Sequence, residues 1–164
     1  MKRLLLFTFF LIQSVFWLTC TQDDAQQQFE AEAYQPANGY TKTDLQQNIL
    51  EADKQDWRVS PFYEGLLQVL PLFPNPINYG GTAYIELTLN GAPIQSYSEL
   101  GYLNFNLRWV PLQQEIVNSE FELVTFVIDT RNFGSNAELA RGLHRLLLYD
   151  GNQRLITFGD LLIQ

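Results

Sequence analysis

The chain has 164 residues with 18 acidic against 10 basic side chains, a formal net charge of −8, one cysteine and one histidine. That charge repels nucleic-acid phosphates, and no basic stripe overrides it, so nucleic acid is excluded as a partner. A single thiol excludes an internal disulfide and a cysteine-based zinc site, while 14% aromatic content argues for a packed core over wholesale disorder.

The first element is a leader. Met1-Lys2-Arg3 opens with charge, Leu4 to Leu18 is an apolar run interrupted by Gln13 and Ser14, and the lone Cys20 follows Thr19. The run falls short of the roughly 20 apolar residues of a permanent span and fits a cleaved export signal. Trp17-Leu18-Thr19-Cys20 resembles the lipobox of bacterial lipoproteins, with Trp17 where Leu is usual and Leu18 where a small residue is usual. The resemblance implies a signal peptide over 1–19, lipid attachment at Cys20 and anchoring in the outer membrane of a bacterial envelope. The alternative is an ordinary signal peptide cut nearby, with Cys20 incidental. Cys20-Thr21-Gln22-Asp23-Asp24 is similar to the surface-export tag of Bacteroidota lipoproteins, which implies that Asp23 and Asp24 direct the protein to the cell surface. The competing reading makes them the start of a solvated tether.

Residues 20–56 read as that tether: acidic, Gln-rich and poor in large apolar side chains, with Pro36-Ala37-Asn38-Gly39 as a turn. Such a segment buries too little to offset its ordering entropy. Short helices are candidates at Asp23–Ala33 and Thr43–Asp53. From Trp57 the pattern changes to short alternating runs. Gly65–Leu72 is a candidate strand ending at Pro74-Asn75-Pro76. Thr82–Leu89 places Ala83, Ile85, Leu87 and Leu89 on one face, and Tyr102–Val110 repeats that alternation. Phe121–Ile128 is apolar on both faces, as in a central strand. Ala137–Arg141 suits one helical turn. Leu143–Tyr149 and Leu155–Ile163 flank Asp150-Gly151-Asn152, a hairpin signal in which Gly accepts a positive φ, and Gly159-Asp160 suggests a bulge. The expectation is one all-β domain over 57–164, a β-sandwich of about six or seven strands.

Leu72-Phe73-Pro74-Asn75-Pro76-Ile77-Asn78 and the strand after it resemble the opening of the C-terminal sorting domains of type IX secretion, and Arg141–Gly151 resembles the hairpin near their end. The resemblance implies an immunoglobulin-like sandwich and assigns Pro74, Asn75 and Pro76 to a sorting-domain turn. Those domains follow a large cargo, whereas here only a leader and a tether precede the likeness.

Chemistry is sparse. His144 is the sole histidine, so neither a two-histidine metal pair nor a Ser/His/Asp set assembles around it; a satisfied position on a strand fits it better. Glu120 and Glu122 share one face of an expected strand and, with Glu115 nearby, offer paired carboxylates for an envelope glycan hydrolase, although exposed pairs are usually just solvated. Asp129, Asp150 and Asp160 are candidates to gather at one end of a sandwich, where loop oxygens often hold calcium, with turn formation the plainer role for Asp150. Tyr63, Phe73, Tyr79, Tyr97 and Tyr102 lie around expected loops, where aromatics either stack on ligands or cap the core. The reading is a non-catalytic binding or structural module without cofactor, lipid-anchored to the membrane, with an envelope protein or glycan as partner. A type IX sorting-like domain and a glycan hydrolase are the alternatives.

Overall fold

The computed structural model describes residues 23–94 and 96–164; the expected leader 1–19 and Cys20 lie outside them. The protein is a β-sandwich. A five-stranded antiparallel sheet of order β3-β10-β9-β6-β7 faces a three-stranded sheet of order β4-β5-β8. The strands are β3 (Arg58–Val59), β4 (Leu67–Phe73), β5 (Thr82–Leu89), β6 (Tyr97–Leu103), β7 (Trp109–Ile116), β8 (Leu123–Asp129), β9 (Gly142–Asp150) and β10 (Leu155–Ile163). A small hairpin of β1 (Lys42–Thr43) and β2 (Ile49–Glu51) lies ahead of them. The larger strand total follows from pieces of two and three residues, too short to show a period.

Alternation builds the core. Ala83, Ile85, Leu87 and Leu89 of β5 are all buried, with Val124, Phe126 and Ile128 beside them on β8. Leu100, Leu146, Leu148, Ile156, Leu161 and Ile163 supply the facing sheet. Burying side chains of this kind contributes about 1.5–3 kcal/mol each.

Four expectations change. Tyr102–Val110 is not one strand: β6 ends at Leu103, and the Asn104 side chain accepts the N–H groups of Asn106 (2.9 Å) and Arg108 (3.0 Å), folding a tight hairpin. Leu107 sits at φ 55° there, and the alternation across the turn merely continues that of its flanks. Phe121–Ile128 is not central. β8 edges the three-stranded sheet and leaves Leu123, Val127 and the preceding Phe121 exposed. In the β9–β10 turn the positive φ belongs to Gln153 (62°), not Gly151, because Asp150 Oδ1 organises the loop by accepting from Asn152 and Arg154 N–H. The irregularity in β10 lies between Leu155 and Thr157, while Gly159 pairs regularly with Leu146. A Cβ at Gly159 would come within 2.2 Å of the Trp57 indole, so its small size lets that ring lie on the strand.

The largest difference concerns the expected tether. The short helix expected at Asp23–Ala33 forms over those residues as α1, but it is docked and not part of a free tether: it buries Phe29 and Ala33 against Leu103, Leu147, Leu155 and Phe158 on the outer face of the five-stranded sheet. Phe29 and Ala33 are one helical turn apart and share a face, but two apolar residues among glutamines barely register as amphipathic. Arg58 lies over the rings of Phe29 and Phe158 and pairs with Glu32. Beyond the helix the chain is held by polar contacts, with Thr41 and Thr43 buried. The Thr43–Asp53 helix is absent; that stretch is the β1–β2 hairpin, because Asp44 accepts from Gln46 and Asn48 N–H and turns the chain. Among the described residues no helix is long and apolar enough to cross a membrane.

Candidate functional site

Two features stand out, one a buried polar joint and the other an open cleft. The joint forms where the N-terminal segment meets β10. Arg145 on β9 is buried and pairs with Asp160 across the strands, Nε to Oδ1 at 2.5 Å and the terminal nitrogen to Oδ2 at 3.0 Å. Its other terminal nitrogen donates to the carbonyls of Glu32 (3.1 Å) and Ala33 (3.3 Å), capping the C-terminal end of α1. Cations are favourable at that end because the last helix carbonyls lack partners within the helix.

Asn75 occupies the centre of the joint and is fully buried. Its side-chain amide donates to the Thr41 (3.1 Å) and Asp160 (2.9 Å) carbonyls, while its oxygen accepts from Leu162 N–H (3.0 Å). Its backbone pairs with Thr43 in both directions. The peptide bonds before Pro74 and Pro76 are both cis. Pro74-Asn75-Pro76 thus joins the N-terminal segment to the last strand.

Half-buried Asp56 completes the network, accepting N–H bonds from Asp160 (2.6 Å) and Thr41 (2.7 Å). Burial pushes its carboxyl from the usual 3.8 up to about 7; the two N–H donors oppose that rise, and the Asp160 charge adds to it. A folded pKa above the unfolded one means that the folded chain holds this proton more tightly. The group therefore destabilises the fold progressively as pH rises from about 4 to 7. Raising pH from 5 to 8 is expected to lower the melting temperature, and Asp56→Asn to flatten that dependence. A slope unchanged in the variant, followed by scanning calorimetry, would place the titration elsewhere.

The open cleft lies at the start of β9. Its volume is about 750 Å³, with Tyr102, Leu103, Phe133, Leu139, Leu143 and His144 among the lining residues, and Pro36 and Ala37 joining from the chain after α1. The β6–β7 hairpin supplies Asn104, Phe105 and Leu107, of which Phe105 is 94% exposed; Leu139, on the one-turn helix α2 (Ala137–Ala140), is 65% exposed. His144 Nε2 lies 2.7 Å from the Ala140 carbonyl and donates to it, which leaves Nδ1 as the acceptor. Its ring packs on Phe133 at 4.7 Å and Tyr102 at 6.3 Å. Burial lowers its pKa, so the imidazole is neutral near pH 7. The cleft is therefore a largely apolar recess with projecting side chains on its rim, and the one charged residue lining it, Arg145, is paired with Asp160.

The other sequence candidates disperse. Glu120 and Glu122 precede β8, so they do not share a strand face; Glu122 accepts from Asn118 N–H (2.8 Å), and Glu115 pairs with Gln113. None of the three lines the cleft. Asp129 is held by the Arg131 guanidinium, which lowers its pKa, and Asp150 accepts from the Tyr63 hydroxyl at 2.6 Å. With Asp160 engaged by Arg145, the three aspartates do not converge. No group of three His, Cys, Asp or Glu placed to hold a metal occurs among the described residues. Tyr63 is buried and Tyr79 donates to the Gly134 carbonyl (3.2 Å), so these aromatics cap the core, while Tyr102 belongs to the cleft wall. Asp23 and Asp24 are exposed residues of α1.

The cleft was not anticipated. Its rim comes from the hairpin inside the expected strand, and only Asn104 and Asn106 are turn-type residues there. No family model, no curated protein and no solved structure matches this chain.

Proposed function

We propose that this chain is a lipid-anchored envelope protein, attached through Cys20, whose β-sandwich is a non-catalytic binding module for an apolar segment of another envelope protein. The charged start, apolar run and sole cysteine support the anchor. The observation that carries the binding role is the recess with Phe105, Leu107 and Leu139 projecting at its mouth, since exposed apolar side chains clustered around a concave apolar surface mark an interaction site. A glycan is less well served, because Asn104 Oδ1 and His144 Nε2 are already engaged within the chain.

Photo-crosslinking in intact cells tests this. A photoreactive residue at 105 is expected to yield a discrete protein adduct identifiable by mass spectrometry, and one at Glu64 none. Leu139→Glu should abolish that adduct. An adduct equally strong at both sites, or glycan alone at 105, would refute the reading. For the anchor, Cys20→Ala should eliminate acyl labelling and membrane fractionation; unchanged fractionation would refute it.

A further inference from the structure

We propose that one defined end of the sandwich lies against the bilayer and that the cleft faces away from it; the inference rests on the acylation of Cys20 proposed above. Three peptide units separate Cys20 from Asp23, and whatever their conformation they span at most about 11 Å. From residue 23 the chain belongs to a helix docked along its length. Gln26 Oε1 accepts from Phe62 N–H (3.3 Å), Phe29 packs on Phe158 with ring centroids 5.0 Å apart, and the Ala33 carbonyl meets Arg145.

These contacts orient the helix. Its N-terminal part lies at the end of the domain formed by the 3-10 turn Pro61–Tyr63 and the β9–β10 turn, and its C-terminal part reaches toward the start of β9. At the first end, Arg154 lies 4.6 Å over the ring of Phe62, which is 40% exposed. An exposed ring beside a cation suits the boundary between headgroups and acyl chains, where the ring gains apolar contact and the guanidinium meets lipid phosphate. The cleft takes Leu143 and His144 from the opposite end of β9. At about 3.3 Å per residue, β9 separates the two ends by roughly 25 Å. A partner in the cleft is thereby held clear of the lipid surface without any long leash.

Acylated Cys20 has no free thiol, so an introduced cysteine in the full chain is a unique labelling point. Asn152→Cys in the β9–β10 turn and Phe105→Cys at the cleft both lie at exposed sites. Each acylated, spin-labelled protein is placed in phosphatidylcholine vesicles containing lipid with headgroup-chelated nickel. Relaxation enhancement at 152 is expected to exceed that at 105 by about threefold or more, given the ~25 Å offset. Inserting about 20 Gly/Ser residues between Gln22 and Asp23 should bring the two close to equality. Equal enhancement in the unaltered chain, or a larger value at 105, would overturn the orientation. Intact mass of the same samples separates the failures: an acyl group with equal enhancement refutes only the orientation, and no acyl group refutes the anchor and the orientation together.

Discussion

Arg145→Met is expected to destabilise the folded protein by about 3–5 kcal/mol, because it strands the buried Asp160 carboxylate without its counter-charge. Domains of this size are stable by only about 5–15 kcal/mol, so the variant should be near the limit of folding. Four donor contacts disappear at once, two to Asp160 and two to the last carbonyls of α1, so the helix should loosen along with the sandwich. Urea denaturation measures the effect as a lowered midpoint. The double variant Arg145→Met/Asp160→Leu separates charge from packing. Replacing both partners of a buried pair by apolar groups is often close to neutral, so the double variant should recover much of the lost midpoint. A double variant as unstable as the single one would mean that the helix cap and the stacking of the guanidinium on Phe158, at 4.9 Å, carry the effect instead.

Asn75→Ala should cost about 3 kcal/mol or more, since it leaves the Thr41 and Asp160 carbonyls and the Leu162 N–H without their side-chain partner, at roughly 1–3 kcal/mol for each buried group. The more telling substitution is Asn75→Asp. It keeps the size but replaces the donor by an oxygen facing two carbonyl oxygens, so it should be worse than alanine despite its closer shape. Thermal unfolding of the two variants side by side is the test. An aspartate variant as stable as alanine, or more so, would show that the amide orientation is not what holds the joint. Either outcome bears on Pro74-Asn75-Pro76, because the proposed joint gives the element a structural purpose within this chain.

Local pattern made several elements legible. Thr82–Leu89 declared itself as a strand with its buried face in register, because every second residue is apolar and both neighbours on the sheet present the same period. The β9–β10 pair was equally readable, since Asp150 and the following turn lie between two long apolar runs. The helical turn expected at Ala137–Arg141 is α2, one residue shorter, and the structure adds its cap: the Asn136 side chain accepts from Leu139 N–H. Where the reading failed, local pattern was silent or misleading. The apolar alternation of 102–110 passed straight through a turn made by a single asparagine side chain. The helix at Asp23–Ala33 was readable, but its docking was not: its own apolar content is small, and much of the burial is supplied by the surface it covers, Leu103, Leu147, Leu155 and Phe158.

The amino-acid sequence by itself determined an all-β domain and a net acidic charge, because strand period, turn chemistry and charge are properties of near neighbours along the chain. The cleft, the Asn75 joint and the docked helix were decided only by tertiary structure. Each brings together residues far apart in sequence: Tyr34 with Tyr149, Thr41 with Asn75, Asp56 with Asp160, Pro36 with Leu143. No local window records such pairings, since the bonds that fix them exist only after the two sheets have closed.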